Sequence, residues 1–149
     1  MLKLDDKDTK ILGALREHGN WSYKQISWKT GIPTTTVHNR VKKLENSGIL
    51  KKYTVDIDYS KIGKGILAYI LVRADYKSIE KFRFLMKFLE KKSVEGVIQE
   101  FSRVTGDYDI IVKVRFESMK ELENFLFSMV RNTKSIYRTV TMVSIAENS

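Results

Sequence analysis

Two groups of residues in this sequence have types and spacings that can do chemistry. The first is Thr34, Thr35, Thr36, His38, Asn39, Arg40, Lys42 and Lys43. They interleave with Val37, Val41 and Leu44, an apolar series at i, i+4 and i+7 that marks the buried side of a helix. The opposite side therefore carries hydroxyls, an amide, an imidazole and ammonium groups. Asn can bridge adenine N6 and N7, Thr offers a hydroxyl and a methyl, and Lys reaches guanine or phosphate. Arg40, beside the buried stripe, has two candidate partners: a phosphate, or an acid of its own domain. A plain solvated helix face is the competing reading of the same residues.

The second group is Thr105, Gly106, Asp107, Tyr108 and Asp109, where a tight turn is expected. A glycine there lets the backbone approach a small molecule closely, leaving turn amides to hold a carboxylate. Either aspartate can pair with an ammonium group, Tyr108 can supply a wall or a hydroxyl, and Thr139 and Thr141 on the last strand can close the site. A hairpin whose aspartates are solvated or cap nearby amides is the alternative. Two carboxylates without a third ligand make a thin metal site, so no metal is expected. The only histidines, His18 and His38, lie in expected helices, and no Ser/His/Asp set or phosphate loop is present. No catalytic residue and no cofactor are assigned, and the chain is not read as an enzyme.

Several elements along the chain must position these groups. Asp5 caps a first helix bearing Ile11, Leu12 and Leu15, which Gly19 stops. Ser22 and Gln25 form a capping box for a short second helix that ends at Gly31. Pro33 blocks its continuation, one of the threonines after it caps the third helix, and Gly48 ends that helix. Two helices across a tight turn make a helix-turn-helix, whose second helix lies in the major groove. Trp21, Tyr23 and Trp28 are read as packing around the second helix, and Lys51 and Lys52 as phosphate contacts or a solvated turn. Val55, Ile57 and Tyr59 alternate with Asp56 and Asp58 as in a short strand.

From Ile66 the pattern becomes βαββαβ: strands at 66–74, 97–104, 109–116 and 137–146, and helices at 78–92 and 118–130. Ile79, Phe82, Met86 and Leu89 are expected to face inward from the first of those helices. Leu122, Phe125, Leu126, Met129 and Val130 do so from the second. The expected fold is α+β, a three-helix (winged) helix-turn-helix followed by a ferredoxin-like sheet with both helices on one face. The expected domains are 1–52, a linker strand or hinge at 53–65, and 66–149. The strand Ile66 to Val72 is apolar on both sides, so its uncovered face calls for a partner subunit. Ile70 is a candidate interface position.

Charge supports a polyanionic partner for the first domain. Residues 1–52 hold 11 Lys+Arg against 5 Asp+Glu, a net of +6, within a chain of net +9. The absence of cysteine excludes disulfides and thiolate chemistry. No apolar run approaches the roughly 18–20 residues that span a bilayer, and the N-terminus lacks a signal core, so a soluble, cytoplasmic protein without a membrane partner is expected. The RNA-recognition module shares the βαββαβ order, but Asp109 to Phe116 lacks its aromatic pattern.

Leu4-Asp5-Asp6-Lys7-Asp8-Thr9-Lys10-Ile11-Leu12 resembles the opening of the leucine- and asparagine-responsive regulators, the Lrp/AsnC or feast/famine family. Ile26-Ser27, Gly31-Ile32, Val37, Arg40-Val41, Leu44-Glu45 and Gly48-Ile49 are similar to its DNA-binding core. Val94-Glu95-Gly96-Val97 and Val104-Thr105-Gly106-Asp107-Tyr108-Asp109 resemble the hallmark of its regulatory (RAM, ACT-like) domain. The resemblance implies a transcription regulator that binds double-stranded DNA, pairs into dimers and commonly octamers, and takes an amino acid or similar metabolite between dimers. An effector-independent repressor, activator or architectural protein of the same fold stays open. Pro33, Trp21 and Trp28 depart from the family's usual residues, which bears on the target sequence rather than the fold.

Overall fold

The computed structural model describes residues 3–75 and 77–146. The chain divides into two compact units, Met1–Ile57 and Asp58–Ser149; their outermost residues, 1–2 and 147–149, which the expected domains include, lie outside the described residues.

Unit 1 is three helices: α1 (Asp6–Glu17), α2 (Tyr23–Thr30) and α3 (Thr34–Asn46). Local chemistry sets each boundary. Asp5 caps α1 by accepting from the Asp8 amide, and Asp8 returns the favour to the Asp5 amide. The helix ends at Glu17, ahead of Gly19. Ser22 and Gln25 close the expected box on α2, and Gly31 terminates it in the left-handed region at φ +69°. The cap of α3 differs from expectation. Pro33 itself is the cap residue, with no side-chain bond, and Thr34 is already helical. Proline's fixed φ supplies the entry geometry that a threonine hydroxyl was expected to supply. Ile11, Ala14, Leu15, Ile26, Ile32, Val37, Val41 and Leu44 form the core, with Trp21 and Tyr23 packed against it. Trp28 does not join them. It is 86% exposed, because it lies on the side of α2 away from Ile26.

No strand forms between residues 49 and 58, so neither the linker strand nor a wing hairpin is closed within this chain. An extended segment becomes a strand only when a neighbour pairs with it, and Val55 and Ile57 stay exposed instead. Tyr59, expected to continue that alternation, begins a 3₁₀ turn (Tyr59–Ile62) that Asp58 caps through the Ser60 amide.

Unit 2 carries β1 (Ile66–Ala74), α4 (Ile79–Val94), β2 (Ile98–Arg103), β3 (Ile110–Phe116), α5 (Met119–Thr133) and β4 (Ile136–Val143). The sheet order is β2-β3-β1-β4, antiparallel throughout. Ala68, Ile70, Val72 and Ala74 alternate onto the core face with Ile110, Val112, Val114 and Phe116, under Leu85, Leu89, Leu122, Phe125 and Met129. Ile79 and Val130 are corrections to the expected inward stripes. Ile79 is 73% exposed and Val130 is 45% exposed, since the stripes centre on Leu85–Leu89 and Phe125–Met129. Ile70 is fully buried on the core face, so it is not an interface position. The uncovered face instead shows Tyr69, Leu71, Ile111, Val140 and Met142, with Leu71 opposite Val140 and Tyr69 opposite Met142. Among the described residues no helix is long and apolar enough to cross a membrane.

Candidate functional site

The recognition-type helix of unit 1 is α3. Val37, Val41 and Leu44 anchor it with no exposure, which fixes its rotation about its own axis. Thr35, His38, Asn39 and Lys42 then fall at i, i+3, i+4 and i+7, one contiguous stripe, and all four are exposed. Thr34 lies at the helix start, while Lys43 and the half-buried Thr36 flank the stripe on the Arg40 side. The His38 ring and the Asn39 amide oxygen stand 3.4 Å apart. Tyr23, read from sequence as a packing residue, also meets this face. Its ring contacts the His38 ring edge-on at 5.1 Å. Only the helix-to-helix geometry reveals this, because fifteen positions separate the two residues in sequence.

Arg40 is turned into its own unit. One of its terminal nitrogens lies 2.6 Å from Asp5 Oδ2 and 3.1 and 3.2 Å from the two oxygens of Asp8. Asp8 is 1% exposed, so its charge is accepted in the interior through the guanidinium and the Asp5 amide. The Asp5 carboxyl is held below the usual carboxylate range, most by the Asp8 amide, with Arg40 adding to that against the cost of burial. Of the two partners expected for Arg40, it meets acids of its own domain, and the N-terminal cap of α1 is tied to α3.

In unit 2 the hairpin between β2 and β3 places Thr105, Gly106 and Asp107 in the open, with Tyr108 and Asp109 half-buried. Gly106 has φ +113°, a conformation that favours glycine whether or not anything binds beside it. Asp109 is engaged. Its carboxylate accepts the Ala74 amide at 2.7 Å, its own amide donates to the Val72 carbonyl at 2.9 Å, and its carbonyl receives the Val104 amide. It therefore locks the hairpin to β1. Thr139 and Thr141 lie on β4 opposite Val72 and Ile70, so β1 runs between them and the hairpin strand. Two strand spacings, on the order of 10 Å, separate them from β3, and the structure does not bring them onto the hairpin within one chain. Among the described residues no group of three or more His, Asp or Glu side chains could hold a metal ion.

Comparison with known proteins agrees with this division. Residues 4–45 match the AsnC-type helix-turn-helix domain, and residues 67–148 match the Lrp/AsnC ligand binding domain. The chain is 38% identical over 141 residues to the HTH-type transcriptional regulator FL11 of Pyrococcus furiosus, covering 94% of this chain and 88% of that relative. A transcriptional regulator of Neisseria meningitidis, solved as an L-Met complex, superposes with TM-score 0.89 at 20% identity, covering 99% of this chain and 93% of that one. B. subtilis LrpC superposes with TM-score 0.82 at 25% identity, covering 99% of both chains.

Proposed function

This chain belongs to the Lrp/AsnC family of DNA-binding transcriptional regulators, and we propose that α3 is the helix by which it reads base sequence. Thr35, Thr36, His38 and Asn39 meet base edges, while Thr34, Lys42 and Lys43 contact phosphates at the groove walls. The observation that carries this reading is the contiguous exposed stripe on α3, held in rotation by three fully buried side chains. Footprinting at several salt concentrations tests it. The expected pattern is a pseudo-palindrome with half-sites about one helical turn apart or a multiple of it; protection with no sequence preference at any salt contradicts it.

The reading extends to unit 2. The apolar uncovered sheet face pairs with a second copy, giving a dimer and from it a larger even-numbered assembly, up to an octamer. A small metabolite, an amino acid above all, binds at the hairpin 105–109 where copies meet, with Asp107 as the acid left to hold its ammonium group. The match to a ligand binding domain and the L-Met held by the similar Neisseria protein support this. Such a ligand acts only if it prefers one assembly state over another. The cytoplasm, where duplex DNA and free amino acids are both at hand, is its compartment. A second reading, regulation without an effector, has one observation in its favour: Asp109 is already committed to β1.

A further inference from the structure

We propose that Arg73 and Arg138 form an oxyanion-binding pair, a site for a carboxylate or phosphate group at the hairpin end of the sheet. The two residues face each other in register across β1 and β4. Val72 and Ala74 point into the core, so Arg73 points to the uncovered face, and Arg138, its register partner, points the same way. Both are exposed. Like charges placed directly opposite on antiparallel strands are destabilising. An anion held between the two guanidinium groups offsets that repulsion.

Among the described residues no carboxylate forms an ion pair with either guanidinium, and neither arginine has a hydrogen bond from its side chain. The neighbouring acids accept hydrogen bonds from backbone amides rather than from either guanidinium. Lys113 stands in register with Glu100, elsewhere on the face. Asp75, two positions beyond Arg73, accepts the Lys77 amide at 2.8 Å. Asp109 uses its carboxylate on the Ala74 amide and its own amide on the Val72 carbonyl, one bond on either side of Arg73. The pair therefore lies next to the hairpin, beyond the last apolar register pair on that face, Leu71 with Val140. Two guanidinium forks in that position can each grip one oxyanion bidentately, which an ammonium pair cannot. This site stands on its own observations and does not require the effector reading of the hairpin.

Thermal melting of the full-length protein at low, constant ionic strength tests the pair, with succinate or inorganic phosphate exchanged for chloride. Wild-type protein is expected to melt higher in either oxyanion than in matched chloride. A larger rise in succinate identifies a free acid as the source of the ligand group; a larger rise in phosphate identifies a nucleotide or nucleic-acid phosphate. In chloride alone, Arg73→Gln and Arg138→Gln should each raise the melting temperature, by roughly 1–5 °C, because a repulsion is removed. Each should also abolish the response to oxyanions. Arg138→Lys, which keeps the charge but loses the fork, should keep the low melting temperature and show a weakened response. A neutral or lowered melting temperature in both Gln variants would overturn the proposal, as would an oxyanion response that survives their combination. Conversion of Arg138→Gln to a monomer in sedimentation without any oxyanion response also overturns it, because the pair then answers an acid on a second copy. Failure of amino acids to act through Asp107 leaves these outcomes unchanged, so the two ideas fail separately.

Discussion

The two units differ in how finished they are as single chains. In unit 1 the polar face of α3 is complete: its core residues are buried, its polar stripe is exposed, and Arg40 is satisfied by Asp5 and Asp8. In unit 2 the core is equally closed, yet an apolar sheet face is uncovered, a hairpin stands in the open, and two arginines confront each other. On the proposed reading, a DNA-reading surface is built by one helix, whereas a surface that assembles copies and senses a ligand is built only when copies meet. Substitutions in unit 1 should therefore act on DNA directly, and those in unit 2 through assembly.

The largest effect expected tests that distinction at adjacent residues. Ile70→Asp buries an unpaired carboxylate in the core and should unfold unit 2, costing about 4 kcal/mol or more. Leu71→Asp, one residue along on the uncovered face, should leave the fold intact by circular dichroism and shift the sedimenting species toward monomer. A stable assembly after Leu71→Asp breaks the comparison.

Next in size is Asp8→Asn. It removes a buried charge that faces Arg40, and should cost unit 1 about 1.5–3 kcal/mol in urea melts. Its effect on DNA separates positioning from simple charge. Deleting an acid from a DNA-binding unit strengthens binding to any duplex by electrostatics alone. Loss of the tie between α1 and α3 should at the same time lower the ratio of specific to non-specific affinity. A ratio unchanged from wild type shows that Arg40 does not orient α3.

The hairpin gives a smaller contrast. Asp109→Ala leaves the Ala74 amide without its partner and should destabilise unit 2 by about 1–3 kcal/mol. Asp107→Ala should stay within about 0.5 kcal/mol of wild type, as exposed positions do, and should instead abolish the response to an amino acid that shifts melting or assembly. Equal destabilisation by both would erase the assignment of one aspartate to structure and the other to ligand.

The smallest effect lies at high pH. Desolvation, and then the bond from its hydroxyl to Glu45 of α3, push the Tyr53 pKa up to about 12. A raised folded-state pKa favours the protonated form, so this contribution is complete below pH 10 and is lost as pH rises toward 12. Tyr53→Phe should flatten the stability of unit 1 across that window. Asp5 acts in the opposite sense at the acid end: its lowered pKa gives stability that is present above the ordinary carboxylate value and lost as pH falls through the folded-state value.

What the sequence disclosed follows from how local each signal is. Capping boxes, Gly31 and the Val37–Val41–Leu44 stripe act within a few residues, and the helices of unit 1 were legible from them. β1 was legible for a related reason: a nine-residue run rich in β-branched and apolar side chains suits a strand that is buried on one face and apolar on the other. Alternation at Val55 and Ile57 misled, because an extended chain shows the same pattern whether or not a neighbour pairs with it. Trp28 misled in the opposite way, since large aromatic residues are usually buried and this one is not. Within one chain, sheet order sets Thr139 and Thr141 across β1 from the hairpin they are expected to close, and sequence does not print sheet order. The Asp5–Asp8–Arg40 contact spans more than thirty positions and left only a choice of partners for Arg40.

The central claim is that α3 reads bases through its exposed stripe, and one comparison of affinities tests it most directly. Binding of wild type and Asn39→Ala is measured on a selected duplex and on its single-base-pair variants at one salt concentration. The account predicts that Asn39→Ala loses discrimination at one base pair per half-site, by about 1–3 kcal/mol, and keeps it at the others. A uniform weakening on every duplex, or none at all, contradicts it.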